Sequence, residues 1–161
     1  MKLKKFEGNP ILSPLKTNDW ESLVTCNPGV IYDNGVFYML YRAAGNDPEH
    51  VIRLGLAISK DGFHFQRVSD QPVFGPSEDG PDSGCVEDPR IVKYGKEFYI
   101  TYAYRPYAPG QYWKFGHDEI LLPECGDDAP LALRNNLGNT GLAMTTDFHK
   151  FRRLGRLTSP I

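Results

Sequence analysis

The sequence repeats itself, and this repeat restricts the fold more than any other feature. The matching segments are residues 10–14 with 72–76, 27–28 with 88–89, 37–41 with 98–102, and 55–57 with 141–143. The offset is 61 or 62 residues at first and then 86, which corresponds to an insertion of 25 residues in the second unit. Short apolar runs alternate with turn residues such as Asp33-Asn34-Gly35, and no stretch keeps a helical period. Such a repeat is typical of a β-propeller blade.

The chain is therefore predicted to be all-β and to supply about two blades of a propeller. We place the first blade at about 9–70, the second at about 71–157 with an insertion at about 106–139, and the start of a third at 158–161. A propeller closes with at least about four blades, so another chain or a C-terminal half would have to complete the ring. Two blades alone would leave an unpaired edge and an open core.

Composition and charge exclude several classes of partner. The chain has 18 basic and 20 acidic residues and a net charge of −2, so we expect no nucleic-acid partner. No apolar run approaches the roughly 20 residues that span a bilayer, and the N-terminus has no apolar signal segment. The three cysteines, Cys26, Cys85 and Cys125, lack a metal-type spacing. We therefore expect free thiols, no metal, no cofactor, no membrane contact and a cytoplasmic location.

The segment Glu87-Asp88-Pro89-Arg90 is the candidate for acid–base chemistry. Pro89 lacks an N–H and is expected to hold Asp88 extended, so that the carboxylate projects from a stiff corner. Glu87 would raise the pKa of Asp88, and Arg90 would lower it. The alternative is a strand-entry turn with a surface ion pair. Asn27 occupies the same repeat position, just before the innermost strand of its blade, so we expect Asn27 and Asp88 side by side in one concave site.

The sequence resembles glycoside hydrolase family 130, the β-mannoside phosphorylases and related mannosidases. The resemblance is carried by residues 9–12, 27–30, 37–42, 57–62, 87–90 and 147–155. It implies a five-bladed propeller, of which this chain would be the first half or less. It also implies an enzyme that cleaves β-mannosidic bonds of an oligosaccharide by inverting phosphorolysis. Inorganic phosphate would be the co-substrate and mannose 1-phosphate the product.

The resemblance implies a role for each matching residue near the acidic segment. Asp88 would be the general acid, whose proton reaches the glycosidic oxygen through a sugar hydroxyl. Asn27 and Arg42 would hold the mannosyl unit, since an amide and a guanidinium both bind vicinal hydroxyls. Glu87 and Arg90, which flank Asp88, are further candidates for substrate binding.

Several of these assignments have a structural alternative. Arg42 could be a solvated residue at a strand end, and Asn27 could be a turn residue before Pro28. Arg153 resembles a phosphate-binding arginine of the family, and a guanidinium suits phosphate because it donates two parallel hydrogen bonds. Arg153 also has a repeat counterpart in Arg67, and a position shared by both blades favours a structural role.

Phosphorolysis is favoured over hydrolysis because an inverting hydrolase needs a second carboxylate, about 6.5–9.5 Å from the first, to activate water. Asn27 stands where other five-bladed propeller glycosidases place an aspartate base, and an amide cannot act as a base. The alternatives are a β-mannoside hydrolase of the same family, a non-catalytic sugar-binding propeller and an unrelated interaction propeller. Residues that distinguish phosphate from water as nucleophile are expected after Ile161. Leaving-group selectivity is expected from the insertion.

Overall fold

The computed structural model describes residues 2, 4–109 and 138–157, which form two four-stranded antiparallel sheets. A 3-10 turn at Asp19–Glu21 precedes the first sheet. The first sheet contains, in spatial order, β1 (Val24–Asp33), β2 (Val36–Ala44), β3 (Arg53–Ser59) and β4 (Gln66–Arg67). The second contains, in the same order, β5 (Cys85–Tyr94), β6 (Glu97–Arg105), β7 (Asn139–Thr145) and β8 (Arg152–Arg156). The all-β prediction is confirmed for this part of the chain.

Parts of the predicted organisation lie outside the described residues. These are the start of a third blade at 158–161 and most of the insertion, from residue 110 to residue 137. The bounds of the two repeat units stay predictions. Within the described ranges, no helix is long and apolar enough to cross a membrane.

The same turn chemistry recurs in both sheets. Asn34 and Gly35 close the β1–β2 hairpin with φ values of 48° and 84°, in the left-handed region that Asn and Gly tolerate. After β3, the Ser59 hydroxyl accepts a hydrogen bond from the N–H of Gly62 at 2.9 Å. After β7, the Thr145 hydroxyl accepts one from the N–H three residues on, at 3.0 Å. The repeat seen in the sequence therefore encodes the same local structure twice.

The first strands of the two sheets, β1 and β5, meet along a line that we call the seam. A Cβ atom added to Gly29 would lie 2.5 Å from the carbonyl oxygen of Pro89, so this close approach requires glycine. Farther along the seam, Lys93 forms an ion pair with Asp33. The seam therefore fixes how the two sheets lie relative to each other.

The connection between the sheets adds an apolar layer to this contact. The N–H of Leu54 on β3 donates to the carbonyl of Phe74 at 2.8 Å, and the carbonyl of Leu54 accepts from the N–H of Val73 at 2.9 Å. Leu54 and Phe74 are buried with Val86 and Tyr102 of the second sheet in one apolar cluster. Residues 73–74 therefore join β3 of the first sheet to the face of the second, and burial of these side chains stabilises the pair.

A triad of arginine, carboxylate and tyrosine ties each sheet to the segment that precedes it. The two triads are Arg67, Glu21 and Tyr41 in the first sheet, and Arg153, Asp82 and Tyr102 in the second. In each, the arginine Nε donates to the carboxylate at 2.7–2.9 Å and the tyrosine hydroxyl donates to it at 3.0 Å. The same guanidinium also donates to a backbone carbonyl, that of Ser13 or Gly75. Both carboxylates are buried, so each depends on these partners.

Candidate active site

Asn27 and Asp88 lie at equivalent β-bulges in the first strand of each sheet. The pairing of β1 with β2 shifts within residues 26–29, and that of β5 with β6 shifts within residues 87–90. A proline follows each of the two residues, and strands tolerate proline at bulges because no ladder hydrogen bond is needed there. The φ angle is 45° at Asn27 and 54° at Asp88. The same backbone conformation therefore presents both side chains.

Two sequence predictions about this segment are wrong. Asn27 and Asp88 lie within β1 and β5 rather than just before the innermost strands. Asp88 is also not extended, since its φ is in the left-handed region. Pro89 does disfavour the right-handed helical conformation at Asp88, but the bulge takes the backbone to the left-handed alternative. Such conformations are uncommon for residues other than glycine and cluster at functional sites.

The Asp88 carboxylate is held by two groups from the first sheet. Its Oδ1 accepts hydrogen bonds from Nδ2 of Asn27 at 2.9 Å and from Nη1 of Arg42 at 3.1 Å. The Asp88 side chain is 36% exposed, so it is accessible to a ligand while Asn27 and Arg42 hold it in place. The predicted meeting of Asn27 and Asp88 is confirmed, and Arg42 joins them. An amide, a guanidinium and a carboxylate at one point can bind the hydroxyls of a sugar.

Glu87 lies behind Arg42, with only 6% of its surface exposed. Its Oε2 is 2.7 Å from Nη1 of Arg42, and its Oε1 accepts a hydrogen bond from Nε of Arg105 at 3.2 Å. Sequence reasoning missed Arg105. The signal was present, because Arg105 stands at the end of an apolar strand where the first repeat unit has Ala44. A charge in only one of two equivalent positions indicates a need particular to that unit.

Neighbouring charges set the ionisation of the site. Burial raises the pKa of Asp88, but the hydrogen bonds from Asn27 and Arg42 and the charges of Arg42 and Arg90 lower it more, so the net pKa lies below its ordinary value. Burial lowers the pKa of Arg42, and the carboxylates of Glu87 and Asp88 raise it to above its usual value. Asp88 is therefore a carboxylate at neutral pH when no ligand is bound.

Two predicted site residues lie apart from this cluster or at its edge. Arg90 is exposed, and its Nη1 donates to the carbonyl of Pro89 at 2.7 Å. Arg153 is on β8, at the opposite edge of the second sheet from β5, with its guanidinium 4.4 Å above the ring of Phe74. The phosphate-binding role of Arg153 stays a prediction, and its triad contacts favour the structural alternative.

Two of the three thiols lie in the part of the chain that the structure describes. Cys26 and Cys85 are both free, whereas Cys125 lies outside that part. Burial raises the pKa of Cys85 to about 12, and burial also raises the pKa of Cys26, which precedes Asn27 on β1. Neither thiol therefore has the low pKa of an activated nucleophile. Among the described residues, no group of three or more His, Cys, Asp or Glu residues could hold a metal ion.

Comparison with known proteins identifies the family. The family model of glycoside hydrolase family 130, described as beta-1,4-mannooligosaccharide phosphorylase, matches residues 2–114. The chain belongs to glycoside hydrolase family 130. The match includes both bulges and all the residues that surround Asp88 in the structure.

Two curated relatives of this family 130 chain come from Thermoanaerobacter sp. (strain X514). A 1,2-beta-oligomannan phosphorylase is 40% identical over 107 residues, and a beta-1,2-mannobiose phosphorylase is 37% identical over 112 residues. Each match covers 63% of this chain and 36% of the relative, so the chain spans about a third of the length of these relatives. A solved structure of a glycosyl hydrolase from Bacteroides ovatus is 25% identical, with a TM-score of 0.67, and covers 93% of this chain and 39% of that one.

Proposed function

We propose that this family 130 chain is part of an enzyme that cleaves β-mannosidic bonds by inverting phosphorolysis and releases mannose 1-phosphate. The observation that carries the proposal is the meeting of Asp88, Asn27 and Arg42 across the seam. Asp88 is a partly exposed carboxylate, and its repeat equivalent Asn27 is an amide, which cannot activate water. Phosphate already carries negative charge and needs no base to attack.

The names of the relatives favour β-1,2 linkages as the substrate class. Both curated relatives are named for β-1,2-mannosides, whereas the family model is named for β-1,4-mannooligosaccharides. We propose a β-1,2-linked mannobiose or a longer oligomannan as the substrate. The residues around Asp88 would bind the mannosyl unit at the cleaved bond, and they do not by themselves choose the linkage.

In the proposed reaction, a phosphate oxygen forms a bond to the anomeric carbon while the bond from that carbon to the glycosidic oxygen breaks on the opposite side. The leaving oxygen takes a proton that Asp88 supplies through a sugar hydroxyl, and Asp88 ends as a carboxylate. Bound phosphate would raise the pKa of Asp88, because a second negative charge disfavours ionisation, so that the carboxyl takes up a proton from solvent beforehand. Asn27 and Arg42 would then orient the acid and the mannosyl hydroxyls.

We propose further that the complete fold is a five-bladed propeller and that the two sheets are two of its blades. Leu54 of the first sheet fills the space beside Phe74 and Tyr102 on the second. The equivalent surface of the first sheet, around Leu12 and Tyr41, lines a cavity of about 220 Å³. This correspondence supports a further blade, which would place an apolar side chain there and close the ring.

Product analysis with the full-length protein tests the function. The protein would be incubated with β-1,2-mannobiose and, separately, with β-1,4-mannobiose, each with and without inorganic phosphate. We expect mannose 1-phosphate to form from β-1,2-mannobiose only when phosphate is present. Equal release of mannose with and without phosphate would indicate a hydrolase. Calorimetric binding of a mannoside without turnover would indicate a sugar-binding protein.

A further inference from the structure

The two repeat units diverge at the positions that build the site. Over β1–β2 and β5–β6 the units align at an offset of 61 residues, with the bulges in the same place. Four of the pairs that differ are Cys26 with Glu87, Asn27 with Asp88, Arg42 with Ala103, and Ala44 with Arg105. Arg42 and Arg105 therefore each have an alanine as counterpart. The charges of the site are divided between the two sheets rather than repeated in them.

Glu87 connects these charges. Its carboxylate contacts Arg42 from the first sheet through Oε2 and Arg105 from its own sheet through Oε1, at 2.7 and 3.2 Å. The residue is 6% exposed, so both oxygens are used on cations within the protein rather than offered to solvent. A buried carboxylate of this kind is stable only while it keeps its partners.

Ala103 explains why Glu87 can bind an arginine from the other sheet. In the register, Arg42 lies opposite Cys26 on β1, and Ala103 lies opposite Glu87 on β5. A long cationic side chain at position 103 would reach Glu87 from within the second sheet and compete for its oxygens. The small residue leaves the carboxylate open to Arg42.

We propose that Glu87 is a positioning residue, anchored by Arg105, which holds Arg42 across the seam against Asp88 and shares its positive charge. This inference rests on the proposed function of Asp88 as the general acid. Nη1 of Arg42 is within reach of both carboxylates, at 2.7 Å from Glu87 and 3.1 Å from Asp88. Glu87 thus determines where the guanidinium stands and how much of its charge acts on Asp88.

The consequence is a dependence of Asp88 ionisation on Glu87. The groups that face Asp88 are Cys26 and Asn27 from β1, Arg42 from β2 and Arg90 from β5 itself, and Glu87 acts on Asp88 through Arg42, which both carboxylates contact. In Glu87→Gln the amide oxygen still accepts a hydrogen bond from Arg42, so the guanidinium stays beside Asp88 with its charge less compensated, and the pKa of Asp88 falls further. A general acid with a lower pKa loses its proton at lower pH, so the alkaline limb of the pH–activity profile shifts to lower pH.

The test compares Glu87→Gln with Glu21→Gln in the full-length protein. Glu21 is also a buried carboxylate that pairs with an arginine, but it belongs to the structural triad of the first sheet. For Glu87→Gln we expect kcat/KM for phosphorolysis to fall by about 10- to 100-fold. We also expect its alkaline limb to lie at lower pH than in the wild type. For Glu21→Gln we expect lower thermal stability and an unchanged pH profile of the folded enzyme.

A second measurement needs no turnover. The carboxyl carbon of Asp88 would be titrated by NMR in the wild type, in Glu87→Gln and in Glu87→Asp. The Glu87→Asp variant keeps the negative charge but shortens the side chain, and it can be compared with the wild type if Glu87→Gln does not fold. We expect the pKa of Asp88 to be lower in Glu87→Gln than in Glu87→Asp. Equal pKa values and coincident pH profiles would overturn the positioning role. If the wild type gave no mannose 1-phosphate, the proposed function would fail, while the NMR titration would still decide the role of Glu87.

Discussion

Asn27 and Asp88 are repeat equivalents whose side chains touch. They stand 61 positions apart, each in a bulge with a left-handed φ, and Nδ2 of Asn27 donates to Oδ1 of Asp88 at 2.9 Å. The contact crosses the seam, so it exists only while the two sheets keep their relative placement. The geometry around the Asp88 carboxylate is therefore a property of both sheets together.

The variant Asp88→Asn should abolish turnover while leaving sugar binding measurable. An amide cannot supply the proton, and loss of a general acid lowers kcat by about 10²- to 10⁴-fold. Steady-state kinetics would give kcat, and calorimetry with a β-1,2-mannoside would give the affinity. Asp33→Asn is the matched control, because Asp33 forms an ion pair with Lys93 at the far end of the same pair of strands, away from Asp88. Normal turnover by Asp88→Asn would exclude its role as the acid.

The variant Gly29→Ala should loosen the seam. The new methyl group would meet the carbonyl oxygen of Pro89 at 2.5 Å, and overpacking of this kind costs about 1–3 kcal/mol. We expect a lower midpoint in urea together with a reduced kcat, since Asn27 and Asp88 would be displaced. Gly75→Ala is the control, because its methyl group would lie 3.7 Å from the nearest atom. Equal effects of both variants on kcat would contradict the importance of the seam.

The variants Arg67→Ala and Arg153→Ala should both destabilise the protein. Each leaves a buried carboxylate without its cation, which costs about 3–5 kcal/mol, and the more exposed Arg153 should fall at the lower end of this range. Urea denaturation followed by circular dichroism measures the loss. The KM for phosphate, measured on the folded enzyme, distinguishes a phosphate-binding role of Arg153 from a purely structural one. An increase in Arg153→Ala but not in Arg67→Ala would establish phosphate binding by Arg153.

The stability of the protein should fall in acid. The hydrogen bonds from Ser77 and Arg153 outweigh burial and hold the pKa of Asp82 below its ordinary value, and the pKa of Asp88 is likewise lowered. A carboxyl whose pKa is lower in the folded state contributes stability above its unfolded value of about 4, and this contribution is lost as the pH falls through the folded value. Melting temperatures between pH 7 and pH 3 would show the loss. Asp82→Asn should melt lower at pH 7 and show a shallower decrease.

The repeat in the sequence predicted much of the architecture. The turn residues Asp33-Asn34-Gly35 predicted a break between two strands, and the structure has the first hairpin there. The alignment of Asn27 with Asp88 predicted their meeting, because equivalent positions in neighbouring repeat units lie on the same side of the assembly. Periodicity and turn chemistry depend on residues that are close in the sequence, so they can be recognised without the structure.

Contacts between the sheets were not predictable in the same way. The pairing of Glu87 with Arg42 and Arg105 depends on how β1 and β5 approach each other, which no local pattern encodes. The left-handed conformation of Asp88 was missed because the effect of Pro89 alone favours an extended backbone, whereas the bulge needs another conformation. Of the second triad, the sequence indicated only that Arg153 is the repeat counterpart of Arg67.

The division of the site between two sheets has a mechanical consequence. The line along which the two sheets meet runs beside Gly29 and Pro89. Because the seam fixes the placement of the sheets, a rotation of a few degrees about it would separate the Asp88 carboxylate from Asn27 and Arg42 and would also disturb the apolar cluster between the sheets. Under the proposed function, a sugar that contacts both Asn27 and Asp88 would link the two sheets and stabilise their relative placement.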